Sequence, residues 1–189
     1  MADQLYLSYW VRGFTEHNML RHFEKLLGKF PFSTMSPAGP VLRVYALEFV
    51  EPPLLERRFD WDADIGTVIS AAKEFQNADC GYLLEAYWDL WRYTNSWKLT
   101  PSTVTLACFG PAFENDLGDH LRIECGPDAD FLPRPHIPES TPKTRSNIKS
   151  LLRLAHELDD LLPLEKRLLR TESGENFADR LKAAMEDAG

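Results

Sequence analysis

Apolar and polar positions alternate along the first dozen residues, with Leu5, Leu7, Tyr9 and Val11 set against Tyr6, Ser8, Trp10 and Arg12. A period of two sends successive side chains to opposite faces of a pleated ribbon, so the segment predicts a half-buried strand ended by Gly13. The period then lengthens. Met19, Leu20, Phe23, Leu26 and Leu27 recur at helical spacing behind Thr15, a good N-cap, and Gly28 offers a stop. Phe30 to Pro40 holds three prolines and a glycine and reads as a loop. Val41 to Val50 is β-prone, with Arg43 and Tyr45 on one side and Leu42, Val44 and Ala46 on the other. Glu51, Pro52 and Pro53 interrupt it before a second short strand over Leu54 to Phe59, and the prolines favour a bend or an edge there.

Asp62 or Asp64 can cap the next helix, whose apolar face is Ile65, Val68, Ile69, Ala72 and Phe75; Asn77 to Gly81 closes it. Tyr82 to Tyr93 fits either period. A strand is preferred, because Leu84, Ala86, Trp88 and Leu90 alternate with Glu85, Tyr87, Asp89 and Trp91 and aromatic residues favour pleated surfaces; a helix is the alternative. Thr94 to Ser96 turns the chain into a strand over Trp97 to Gly110, with Val104, Leu106 and Cys108 inward. Asn115 to Asp119 makes another turn, leading to Leu121, Ile123 and Cys125 inward with His120, Arg122 and Glu124 outward.

Gly126 to Pro142 carries five prolines and reads as a linker or an arm over the surface. Thr141 and Pro142 then start a helix with the stripe Ile148, Leu151, Leu152, Ala155, Leu158 and Leu162, which Pro163 ends or kinks. After Leu164 to Arg170, a last amphipathic helix carries Phe177, Leu181, Ala184 and Met185. Hairpins mixed with helices predict an α+β two-layer sandwich: a mostly antiparallel sheet with helices on one face, a ferredoxin-like variant, plus a C-terminal helical extension. The divisions expected are an α+β domain over 1–126, a proline-rich arm over 127–141, and C-terminal helices over 142–189 packed on the domain.

Composition narrows the function classes. With 189 residues, 44% apolar and 12% aromatic, the chain can bury one core and is not a disordered polymer. A net charge of -8 supplies no basic field for phosphates, so nucleic acid is not an expected partner. No basic leader precedes a long apolar run and no window reaches membrane-span length, so the expectation is a cytoplasmic chain without membrane contact. Cys80, Cys108 and Cys125, odd in number and widely spaced, fit reduced thiols.

Recognisable cofactor motifs are missing, and neither cofactor nor metal is expected. Asp60, Asp62 and Asp64 imitate the opening of a calcium loop, but Ile65 stands where that loop needs glycine and Ala71 where it needs its closing glutamate. His17 and His22, five apart, do not share a helix face as paired ligands must. For acid/base chemistry the candidates are His120, Arg122 and Glu124, which alternation puts on one face with Asp119 adjacent; Glu85 and Asp89 join them if 82–93 is a strand. The bland account of the same residues is a row of cross-strand ion pairs.

For recognition the candidates are Tyr6, Trp10, Arg12, Arg43, Tyr45, Tyr87 and Trp91, because aromatic residues with arginine anchor interfaces; burial beneath the C-terminal helices is the competing account. Two functions follow. The first is a non-catalytic protein-binding or assembly module that uses the aromatic and arginine face for a protein partner or a second copy. The alternative is a small-ligand enzyme, hydrolase-like, with Glu124 or His120 as base and Arg122 holding an anionic substrate.

Overall fold

A computed structural model describes residues 3–187. In chain order the elements are β1 (Gln4–Val11), α1 (Met19–Lys29), β2 (Val41–Ala46), β3 (Leu55–Arg58), α2 (Ile65–Lys73), β4 (Cys80–Tyr93), β5 (Trp97–Phe109), β6 (Leu121–Pro127), α3 (Ser140–Leu161), β7 (Leu164–Thr171) and α4 (Phe177–Asp187). The chain is therefore mixed α+β, with a seven-stranded antiparallel sheet in the order β3-β2-β4-β5-β6-β1-β7.

Local chemistry accounts for most boundaries. Thr15 and Asn18 bond reciprocally, each amide donating to the other's side-chain oxygen at 2.8 and 3.3 Å, and this closed turn delays α1 to Met19. Asp64 caps α2 by accepting from the Thr67 amide at 2.9 Å. Pro163 follows the last residues of α3 and lacks the amide to continue it. Tyr82 to Tyr93, compatible with either period, is strand, because β5 pairs with it along its whole length and β2 takes the other side of its first half.

Two expectations change. Leu164 to Arg170, between the expected C-terminal helices, forms the edge strand β7, with Tyr6 opposite Arg170, Ser8 opposite Leu168 and Trp10 opposite Lys166. The described part of the C-terminal segment, 142–187, therefore contributes to the sheet as well as to the helices. The sheet also runs as a β4-β5-β6 meander with β1 beyond it, so β1 and β4 are separated by two strands instead of interleaving as a ferredoxin-like plan requires.

One face of the sheet and the helices share the main core. Leu7, Tyr9, Leu84, Leu106 and Ile123 from the strands meet Phe23 and Leu26 of α1, Val68 and Ile69 of α2, Leu151 and Leu158 of α3, and Phe177 of α4. Each buried aliphatic side chain contributes about 1.5–3 kcal/mol. The expected arm is anchored: Phe131 is fully buried in this core, and Asp130 meets Arg92 at 3.1 Å while Asp128 pairs with Arg180 of α4. Both edge strands carry charge, Glu56, Arg57 and Arg58 on β3 and Glu165, Lys166 and Arg167 on β7, which discourages strand addition by another chain. No helix among the described residues is long and apolar enough to cross a membrane.

Candidate functional site

The pleat and the register fix what stands on the sheet face opposite the helices. One row across the strands reads Glu85, Thr105, Glu124, Tyr6 and Arg170; the next reads Arg43, Leu83, Ala107, Arg122, Ser8 and Leu168. Glu85 and Glu124 thus share a face but stand two strand spacings apart, about 10 Å, with Thr105 between them.

Arg122 lies at the centre and is nearly enclosed, its side chain 11% exposed. It forks onto Asp119, Nε donating to Oδ2 at 2.8 Å and a terminal nitrogen donating to Oδ1 at 2.7 Å. The guanidinium also lies over the rings of Phe109 and Tyr6, with centroids at 4.8 and 5.9 Å. Such a group is already neutralised and hydrogen-bonded, so it organises the face and has little left to offer an anionic substrate. Arg170 reaches the Tyr6 ring at 4.9 Å, and Lys166 sits 4.5 Å from the Trp10 ring. Burial raises the Tyr6 hydroxyl above its ordinary range, keeping it protonated at neutral pH.

His120 departs from the alternation that grouped it with Glu124. It precedes β6, its ring stacks on Phe14 at 4.2 Å, and its Nδ1 accepts the Val11 amide at 2.8 Å. Burial lowers its pKa, while the Asp119 and Glu165 carboxylates pull the other way. The Val11 amide occupies the lone pair a general base would use at that nitrogen. Glu124 is the acid/base candidate that keeps an accessible setting. β5 and β6 pair only over Thr105 to Cys108 and Leu121 to Glu124, then part near Gly126, leaving a 370 Å³ cleft lined by Glu124, Thr103, Thr105 and Gln4. Burial raises the Glu124 pKa against the pull of Arg122.

Most other candidates are engaged inside the chain. Glu85 and Glu56 flank Arg43 at 3.4 and 2.7 Å. Asp89 holds the loop after α1, accepting from the Ser33 hydroxyl and from the Thr34 amide at 3.0 Å. Trp91 lies under the Lys143 ammonium of α3 at 3.5 Å, so its ring is already taken up by a cation of the same chain. Arg12 lies beyond β1, exposed, with its amide donating to Pro163. Tyr45 packs against Phe49, which also meets Phe113. Tyr6, Trp10 and Tyr87 stay partly exposed.

All three cysteines are buried as free thiols, and burial pushes Cys80 up to about 11 and Cys108 and Cys125 further. No cluster of three potential metal ligands occurs among the described residues.

Two features escaped the sequence patterns. The β-prone run to Val50 hides a turn after Ala46, where Leu47 takes a left-handed conformation (φ 65°) and Val50 is 80% exposed. Leu54 across the turn is also exposed, which leaves an apolar tip beside Tyr45. On the helix side a 410 Å³ chamber opens between the Phe32–Pro40 loop, the start of α2 and β4. Its signal in the sequence is three alanines, Ala38, Ala63 and Ala86, whose convergence no periodicity reveals. The chain matches no protein-family model, no curated protein and no solved structure.

Proposed function

We propose that this chain is a non-catalytic protein-binding module that engages its partner through the helix-free sheet face. The observation that carries the reading is the strip where β1 meets β7. There the partly exposed rings of Tyr6 and Trp10 lie against Arg170 and Lys166, and no ion pair among the described residues includes either cation. Aromatic area next to uncommitted positive charge suits a protein surface that presents carboxylates around an apolar spot. The apolar tip at Leu47 and Val50 gives the same face a second contact point at its other end.

Capture from native lysate, followed by titration of the identified partner, tests this reading. The double variant Trp10→Ala with Lys166→Glu should lose the partner while melting near the parent temperature. Retained binding with both residues replaced would remove the strip from the function. Self-association by sedimentation, abolished by the same variant, would make a second copy the occupant.

A small-ligand hydrolase-like activity is the second reading, favoured by one observation: Glu124 borders a cleft with its pKa raised. Its test is a ligand-induced rise in melting temperature that Glu124→Gln removes and Trp10→Ala leaves intact.

A further inference from the structure

The chamber beside α2 belongs to neither reading, because its mouth lies on the helix side of the sheet. Its walls are mostly apolar: Leu27 of α1, Phe32, Pro40, Val68 of α2 and Leu84 of β4. At 410 Å³ it falls within the range of small-molecule sites. It stays open because the bulky side chains around it meet alanines, where a leucine at 38, 63 or 86 would fill the space.

The frame is held by bonds that do not depend on an occupant. The Ser33 amide donates to the Tyr87 carbonyl at 2.7 Å, and Asp89 clamps Ser33 and Thr34. The Phe59 amide donates to the Pro40 carbonyl at 2.9 Å. Gly39 passes so close to β3's end that a Cβ there would sit 1.9 Å from the Phe59 carbonyl oxygen. A frame pinned at both ends is preformed and cannot collapse onto the void.

The polar lining decides the ligand class. Ser33 donates its hydroxyl to Asp89 of β4 and accepts from the Met35 and Ser36 amides, Ser36 spends its hydroxyl on the backbone of Ala38, and Asp64 caps α2. Asp62 remains, exposed at the rim and in no hydrogen bond or ion pair among the described residues. No lysine, arginine or histidine lines the chamber. Trp61, 73% exposed, stands beside Asp62 with an indole face that can lie against a cation. We propose that the chamber binds a small amphipathic amine, its apolar body among the alanines and its ammonium between Asp62 and Trp61. An anionic amphiphile of the same length finds no counter-charge and meets a carboxylate at the mouth.

The test uses the full chain and three probes of equal length, n-octylamine, n-octanol and octanoate, each below its micellar concentration, titrated by calorimetry at pH 7. Octylamine should bind at one site, octanol more weakly, and octanoate not measurably. Asp62→Asn should weaken octylamine by about threefold, as for an exposed ion pair, and leave octanol unchanged. Ala38→Leu should weaken both by about tenfold or more by filling the space, with Ala63→Leu as the equivalent variant should the first not fold. Absence of saturable octylamine binding would overturn the proposal. So would octanoate binding as tightly as octylamine, or octylamine affinity unmoved by the filling variant. Trp10→Ala with Lys166→Glu leaves the chamber intact, so loss of partner binding and loss of amine binding are separable.

Discussion

Asp119→Ala isolates the interaction that organises the helix-free face. The substitution leaves the Arg122 guanidinium nearly enclosed, with both of its hydrogen bonds to carboxylate gone. Removing one partner of a buried pair costs about 3–5 kcal/mol, because the remaining charge is stranded. Two features favour the lower end here: Phe109 and Tyr6 still offer their ring faces, and a side chain 11% exposed has a path to water. A loss of about 3 kcal/mol is therefore expected, which at roughly 2–4 °C per kcal/mol for a chain of this size lowers Tm by about 6–12 °C. The double variant Asp119→Ala with Arg122→Leu has no stranded charge and should lose only about 1–2 kcal/mol relative to the parent. Urea unfolding followed by circular dichroism and by tryptophan fluorescence gives both values, with an unchanged slope as the control. The destabilisation should change little between 0.05 and 0.5 M salt, since enclosed pairs are poorly screened. A single-variant loss under about 1 kcal/mol, or a double variant that merely adds the two single losses, would refute the reasoning and return Arg122 to the pool of groups free to bind an anion.

Further expectations follow from other contacts. Asn147 of α3 donates to the Trp91 and Asp130 carbonyls at 2.8 and 2.7 Å and accepts the Trp91 amide at 2.9 Å, so Asn147→Leu should cost about 2–4 kcal/mol in a thermal melt by leaving these backbone groups unpaired. Gly28, inside α1 with open space at its Cβ position, should gain about 0.5–1 kcal/mol on substitution by alanine. Gly39→Ala should instead lose more than about 2 kcal/mol by collision with the Phe59 carbonyl. Burial lowers the pKa values of His22 and His120, so the unfolded chain binds more protons just below the ordinary histidine value, and stability should fall as the pH drops through that range. The Val11 amide should exchange faster over the same range, because protonated Nδ1 cannot accept its bond. Glu124 and Asp130 act oppositely: their raised values make the folded chain hold protons more tightly, so stability should also fall as pH rises through the upper carboxylate range. Glu124→Gln should flatten that second limb in a pH series of melts.

Alternation in Leu5 to Arg12 and in Leu121 to Cys125 gave both strands and both faces, because a half-buried ribbon imposes its period on the chain. The same rule overreached at its ends. His120 keeps the parity of Arg122 and Glu124, yet it stands where the ladder stops and its ring turns to Phe14 and the Val11 amide. Arg12 likewise keeps the parity of Trp10 but lies past the last residue of β1. β7 escaped because an edge strand with charged residues on both sides shows little alternation, and only its partner β1 makes it strand. The chamber escaped because its alanines come from a loop, a helix approach and a strand, which no local period relates.

Periodicity and breakers such as Gly13 and Pro163 suffice for the mixed α+β class, the positions of most elements and the inward set that forms the core. The strand order, the choice of strand over helix for Tyr82 to Tyr93, and the commitment of particular charged groups come from the packed fold. Arg122 is committed because the turn before β6 brings Asp119 under it, and Lys166 and Arg170 meet Trp10 and Tyr6 because β7 returns beside β1. Such pairings join residues far apart in the chain or turned by a loop, and their energies depend on enclosure, a property of the packed molecule that no stretch of sequence carries alone.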